Sequence, residues 1–384
     1  MRFNTVLLAI ASLSVFCPAE GAENPPPKNV NVYVGTYTGG KSKGIYLCRM
    51  DCFTGKLSEP ELVAQTRNPS FLALNPAQDH LYCVGELWDA SAGTGTVSAY
   101  AIERNGKLKF INQQSSGAKG PCHLTLDSFG KTVLVANYAG GAVAALPVDD
   151  NGGLKEPSCV IKHEGKGPNP KRQEAPHVHS VNLSKTGVAM VCDLGLDRIF
   201  LYRLDVVGRK LAPNDPPFVA TAPGAGPRHL TRHPLGDWVY VVNEMGNTVT
   251  VYQQKLTDAS LQEIQTVGTL PEDFKGQNTT AEVAVNPEGG HFLYASNRGH
   301  DSLAVFRVDA DTGKLTPVGH VPSGGKTPRN FAIDPGGRFL IAANQDSNNL
   351  VVFAIDGQTG MLKQMQEIKD IGSPVCVRFA TNQE

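Results

Sequence analysis

The stretch Gly226–Glu244, GPRHLTRHPLGDWVYVVNE, contains an apolar-alternating run, a Pro-Leu-Gly turn, a second apolar run and a polar end. Two short β-type runs joined by a turn residue cluster are the signature of an antiparallel strand pair. The same pattern recurs along the chain. It appears at Asn68–Glu86 (NPSFLALNPAQDHLYCVGE), Gly120–Tyr138 (GPCHLTLDSFGKTVLVANY) and Pro176–Gly195 (PHVHSVNLSKTGVAMVCDLG). It returns at Thr280–Arg298 (TAEVAVNPEGGHFLYASNR) and Thr327–Gln345 (TPRNFAIDPGGRFLIAANQ). With Gly85, Asn137, Asp193, Asn243, Asn297 and Asn344 taken as equivalent, the repeat spacings are 52, 56, 50, 54 and 47 residues.

A second element follows each copy, a strand and then a turn ending in leucine. Ile45–Leu57 (IYLCRMDCFTGKL), Leu303–Leu315 (LAVFRVDADTGKL) and Leu350–Leu362 (LVVFAIDGQTGML) are examples. Together with a less regular fourth strand, each repeat of about 50 residues makes one blade of a β-propeller. Six blades are continuous. The seventh is expected to be shared, with Ser373–Phe379 supplying its first strand and Val30–Tyr37 its second, which closes the ring and removes a free sheet edge. The fold class predicted is all-β, a seven-bladed propeller of four-stranded antiparallel blades over residues 30–384.

Composition agrees with that reading. Hydrophobic residues make up 41% and charged residues 18%, enough apolar material for a large core. Glycine (40) and proline (26) exceed average usage, as many tight turns require. Lys+Arg (35) balances Asp+Glu (36), so no global basic field invites nucleic acid or an anionic membrane.

The N-terminus belongs to another class. Arg2 precedes the apolar run Val6–Phe16, and the small residues Ala19, Gly21 and Ala22 follow it. Residues 1–22 read as a secretory signal, too short to span a membrane, with cleavage after Ala19 or Gly21. Bulky Phe16 argues against lipidation at Cys17. Residues 23–29 follow as a proline-rich spacer. The mature protein is expected to be exported, periplasmic or extracellular, with no membrane attachment, and monomeric. Among the cysteines, Cys48 and Cys52 flank a turn and are the expected disulfide pair, whereas Cys83, Cys192 and Cys376 sit in apolar strands. No C-x-x-C occurs, which argues against a thiolate metal site, and neither metal nor cofactor is predicted.

In an antiparallel blade, the start of the first strand and the end of the second lie on one face. Two rings of residues should therefore meet at one mouth of the central channel. The first ring comprises Ser70, His123, His177, His179, Arg228, His229, Glu282, Arg329 and Asn330; the second comprises Tyr37, Glu86, Asn137, Asp193, Glu244, Arg298 and Asn344. Charged groups around a partly desolvated concavity are where anions are held and pKa values shift. His177 and His179, two apart, share a strand face. They suit acid–base work or simple hydrogen bonding at the mouth. Arg228 and Glu244 end neighbouring strands of one blade and can pair, either as a structural ion pair or as an anion clamp beside a base. Arg298 is either an exposed turn arginine or part of the same cluster.

The start YVGTYTG, the D-x-x-T-G-K-L turns, PHVHSV, DLGLDRIFLY and GPRHL resemble the seven-bladed lactonase family. That family includes bacterial 6-phosphogluconolactonase and the fungal 3-carboxy-cis,cis-muconate lactonizing enzyme. The resemblance runs from about Val30 to Phe379. It implies an active site of one histidine, two arginines and a glutamate, which fall by motif at His179 (with His177 close), Arg228, Arg298 and Glu244. It also implies a small anionic lactone or sugar-derived substrate. His177, His229, Arg329, Asn137, Asp193 and Asn344 are the expected substrate-binding neighbours. Hydrolysis of a sugar lactone is the expected reaction, with either Glu244 or His179 activating water. A muconate-type lactonizing cycloisomerase and a non-catalytic binding propeller are the alternatives.

Overall fold

A computed structural model describes residues 28–88 and 93–381 of the 384-residue chain. The signal reading at residues 1–22 and most of the proline spacer lie outside the described residues. Twenty-eight strands form seven four-stranded antiparallel sheets, and the described residues contain no helix.

The Arg228 blade shows the plan. Its strands Pro227–Arg232, Trp238–Asn243, Thr248–Gln254 and Leu261–Gly268 lie in simple sequential order from the channel outward. The second strand is buried along nearly its whole length, while the fourth alternates with solvent. Apolar side chains of one blade meet those of the next. Tyr240, Val242, Val249 and Val251 of this blade pack with Val283, Leu293, Ala295 and Phe306 of the following one. Burial therefore lies between sheets, as in any sheet-on-sheet core. Ring closure is as expected: Pro374–Thr381 pairs antiparallel with Asn29–Thr36, in the register Tyr33↔Arg378 and Val34↔Val377.

One irregularity recurs and sets the site. The first strand of six blades slips register at its start: between Pro121 and His123, Val178 and Ser180, Pro227 and His229, Thr280 and Val283, Pro328 and Asn330, and Pro374 and Cys376. Each slip is a β-bulge, an extra residue that breaks the ladder and re-aims its side chain. The residues skipped include Cys122, His179, Arg228 and Arg329.

The expected Cys48–Cys52 disulfide is not formed; both thiols are free and buried. Cys48 lies inside the strand Gly44–Asp51 and faces a core of Val32, Met50 and Ile341, and Cys52 lies just beyond that strand's end. Four residues of extended chain span about 13 Å, beyond the reach of an S–S bond. The turn does not begin until the strand has already separated them.

Candidate active site

Glu244 follows the second strand of its blade and is 5% exposed. Three guanidinium groups surround its carboxylate. Arg228 Nε donates to Oε2 at 3.0 Å, Arg298 Nη2 lies 3.0 Å from the same oxygen, and Arg172 Nη2 donates to Oε1 at 2.6 Å. His179 Nε2 stands 3.9 Å from Oε2. Burial alone would raise the Glu244 pKa, but the charges of Arg298, Arg228 and Arg172 outweigh it and hold the carboxyl well below the usual carboxylate range. Glu244 is thus a fixed anion.

His179 is the opposite case. At 4% exposure, with Arg228 and His229 nearby, it is held well below the ordinary histidine range and stays neutral. Its Nδ1 is 3.8 Å from Cys122 Sγ, and its ring meets those of Tyr138 and His229 edge-on at 5.3 and 5.2 Å. Burial raises the Cys122 thiol far above its ordinary pKa, which leaves it un-ionised.

Arg228 is among the largest fully buried side chains. Its Nη1 donates to the Ala281 carbonyl of the next blade. Arg298 also donates Nη2 to the Thr280 carbonyl, while its buried Nε has no partner. Arg329, on the bulge two blades on, has no hydrogen-bond partner among the described residues; its guanidinium lies over the Tyr37 ring at 5.4 Å. Tyr37 in turn donates to Glu86 Oε2 at 2.9 Å, and Ser70 Oγ donates to the same oxygen. Four arginines stand around the carboxylates of Glu244 and Glu86, with Glu174 a third beside His177, so positive charge is in excess at this mouth.

Beneath the mouth the channel is plugged. Phe71, His123 and His229 pack against one another, His229 edge-on to the other two, with centroids 4.1 to 5.7 Å apart. His229 Nδ1 lies 3.2 Å from both oxygens of Glu282, which also accepts from Asn330 Nδ2. The void left among Ser70, Glu86, Arg228, His229 and Arg329 holds about 10 Å³, at the lower limit for one water.

The structure sorts the residues expected from sequence. His179, Arg228, Glu244 and Arg298 converge, with Arg329 close by. His177 lines the same mouth, stacked on Tyr138 at 4.5 Å and 3.2 Å from Glu174. His229 lies one layer deeper, in the plug. Asp193 is fully buried, accepting from the backbone N–H of His177 and Leu196 and lying 2.6 Å from His163 Nδ1. It anchors the start of the strand that carries both histidines. Asn137 and Asn344 are also fully buried and donate to the carbonyls of Ser116 and Ser323, tying each blade to the return from the one before. Arg172 was not expected. It stands in the long Gly/Pro-rich connection before Pro176, outside the repeat, and the basic pair Lys171-Arg172 next to PHVH was its one sequence signal. Among the described residues no cluster of three or more His, Cys, Asp or Glu side chains could hold a metal ion.

Residues 31–379 match the family described as Lactonase, 7-bladed beta-propeller. The chain belongs to the seven-bladed β-propeller lactonase family. A 6-phosphogluconolactonase of Bacillus subtilis is 39% identical over 306 residues, covering 79% of this chain and 84% of the relative. A 6-phosphogluconolactonase of Formosa agariphila is 33% identical over 310 residues, covering 79% and 86%. The solved structure of a periplasmic gluconolactonase of Pseudomonas aeruginosa superposes with a TM-score of 0.86 at 36% identity, covering 92% of this chain and 99% of that one. The names of these three relatives describe lactonases.

Proposed function

We propose that the protein is an exported, metal-independent lactone hydrolase of the 6-phosphogluconolactonase type, working at the arginine-lined mouth. The observation that carries this reading is the pairing of a neutral His179 with the fixed anion Glu244, 3.9 Å apart, among Arg228, Arg298 and Arg172. A lactone is a cyclic ester. Hydrolysis adds a water oxygen to the carbonyl carbon, places negative charge on the carbonyl oxygen, then breaks the bond to the ring oxygen.

A neutral imidazole can accept the water proton, and Glu244 stabilises the imidazolium as it forms. Collapse of the tetrahedral adduct returns that proton to the departing ring oxygen. Glu244 itself is already engaged by three guanidinium groups, which suits it to stabilising charge rather than to taking the proton. The guanidinium groups of Arg228 and Arg298, beside Glu244, are the donors placed to stabilise the developing oxyanion. The surplus positive charge favours an anionic substrate group, with Arg329 the arginine not already engaged. The signal reading and the periplasmic relative favour a sugar lactone met outside the cytosol.

The test is lactone hydrolysis by the chain from Glu23, corrected for spontaneous opening, with 6-phosphogluconolactone beside gluconolactone. His179→Ala should lower kcat on the order of 10²-fold or more. Wild-type turnover in that variant, or no turnover by the parent on either lactone, overturns the reading.

A further inference from the structure

Trp88 is 54% exposed, at the rim three residues past the end of the second strand of its blade, His80–Gly85. Exposed indoles are uncommon without a partner to meet, yet this one is held in place. Its Nε1 donates to Glu86 Oε1 at 3.1 Å, and its ring lies 5.8 Å from Tyr138. Tyr138 is stacked on His177 and stands edge-on to His179 at 5.3 Å. An aromatic wall therefore leads from solvent to the proposed base in two ring contacts. Glu86, 2% exposed, accepts from Tyr37, Ser70 and Trp88. A carboxylate has about four acceptor positions, so one remains.

We propose that Trp88 and Tyr138 form the platform for a saturated, hydroxyl-bearing ring, with Glu86 accepting a hydroxyl proton at its edge; the inference rests on the lactonase reading. The C–H face of such a ring is apolar and its rim is polar, which matches an indole face beside a buried acceptor. The carboxylate of Glu86 repels a second carboxylate at the same place. The platform thus selects a sugar lactone over a flat dicarboxylate of the muconate kind. Arg329, over the Tyr37 ring on the other side of Glu86, is left to meet an anionic substituent.

The test compares gluconolactone with δ-valerolactone, the same ring ester without hydroxyls. The preference in kcat/KM for gluconolactone should shrink about tenfold in Trp88→Ala through a rise in KM, and Trp88→Phe should restore most of it. The chain has two tryptophans, so Trp238→Phe leaves Trp88 as the sole indole reporter. Its fluorescence should respond to 1,5-anhydroglucitol, a sugar ring that cannot be hydrolysed. Equal losses on both lactones, or an unchanged preference with no fluorescence response, overturn the platform. A fluorescence response in a chain that hydrolyses neither lactone overturns the lactonase reading and leaves the platform standing.

Discussion

At the scale of single residues, Glu244 governs both charge and stability. Its carboxylate neutralises part of the field of three buried or half-buried guanidinium groups, and removing one partner of such a cluster leaves uncompensated charge behind. Glu244→Gln is expected to cost about 3–5 kcal/mol of stability, read from denaturant unfolding. An unchanged midpoint would mean the arginines find other partners. This cost makes His179 the cleaner probe of chemistry, since the neutral ring makes no close ion pair whose loss would strand a charge. The convergence of these four residues was legible from sequence because each sits at a fixed offset from a repeated turn, whereas the bulges that re-aim His179 and Arg228 break strand alternation and left no signal. Arg172 was not legible for the same reason: its connection has no repeat to be aligned with.

At the scale of elements, the strand-3-to-4 turns double as latches between blades. Tyr33, Tyr82, Tyr240 and Tyr294, all on second strands, donate their hydroxyls to the carbonyls of Gly106, Gly152, Gly313 and Gly360 in the next blade's turn, at 2.8 to 3.0 Å. The glycines are needed there. Gly360 has φ +75, and a Cβ added to it would run into the Phe292 ring. In the Asp-x-x-Thr-Gly turn preceding it, Asp356 accepts from both the backbone N–H and the hydroxyl of Thr359. Gly360→Ala is expected to destabilise by about 1–3 kcal/mol through strain and the clash, and differential unfolding against the parent would measure it. The turn motif was plain in the sequence. Its partner was not, because a latch between sheets leaves no spacing signal. The disulfide expected from Cys48 and Cys52 failed at this same scale, where four extended residues outreach any S–S bond.

At the scale of the whole molecule, the buried centre of the ring titrates. His123, His179 and His229 are each held well below the ordinary histidine range by burial. The unfolded chain binds those protons near pH 6.5, so the stability these groups contribute is complete above that value and is lost as pH falls below it. Glu282 opposes them, because burial raises its folded pKa and it holds its proton longer in the native state. Burial lowers His233 and His320 as well, so the histidines outnumber the one opposing carboxyl. Stability should therefore decline from about pH 6.5 downward, by roughly 1.4 kcal/mol per pH unit for each net proton, before ordinary carboxylates titrate. A stability profile flat between pH 7.5 and 5.5 would contradict this. The fold as a whole was the most legible level of all, since six copies of one pattern and two half-copies at the ends admit one closed ring.

The packed rings of Phe71, His123 and His229 turn a tunnel into a cul-de-sac. Whatever enters by the arginine rim must leave by it, past the same guanidinium groups, and a lactonase product leaves with one more carboxylate than its substrate brought. Newcomer and leaver then compete for a single doorway. The ring-opened acid should act as a competitive inhibitor whose grip weakens with added salt, visible as progress curves that bend early at low ionic strength and straighten as salt screens the rim.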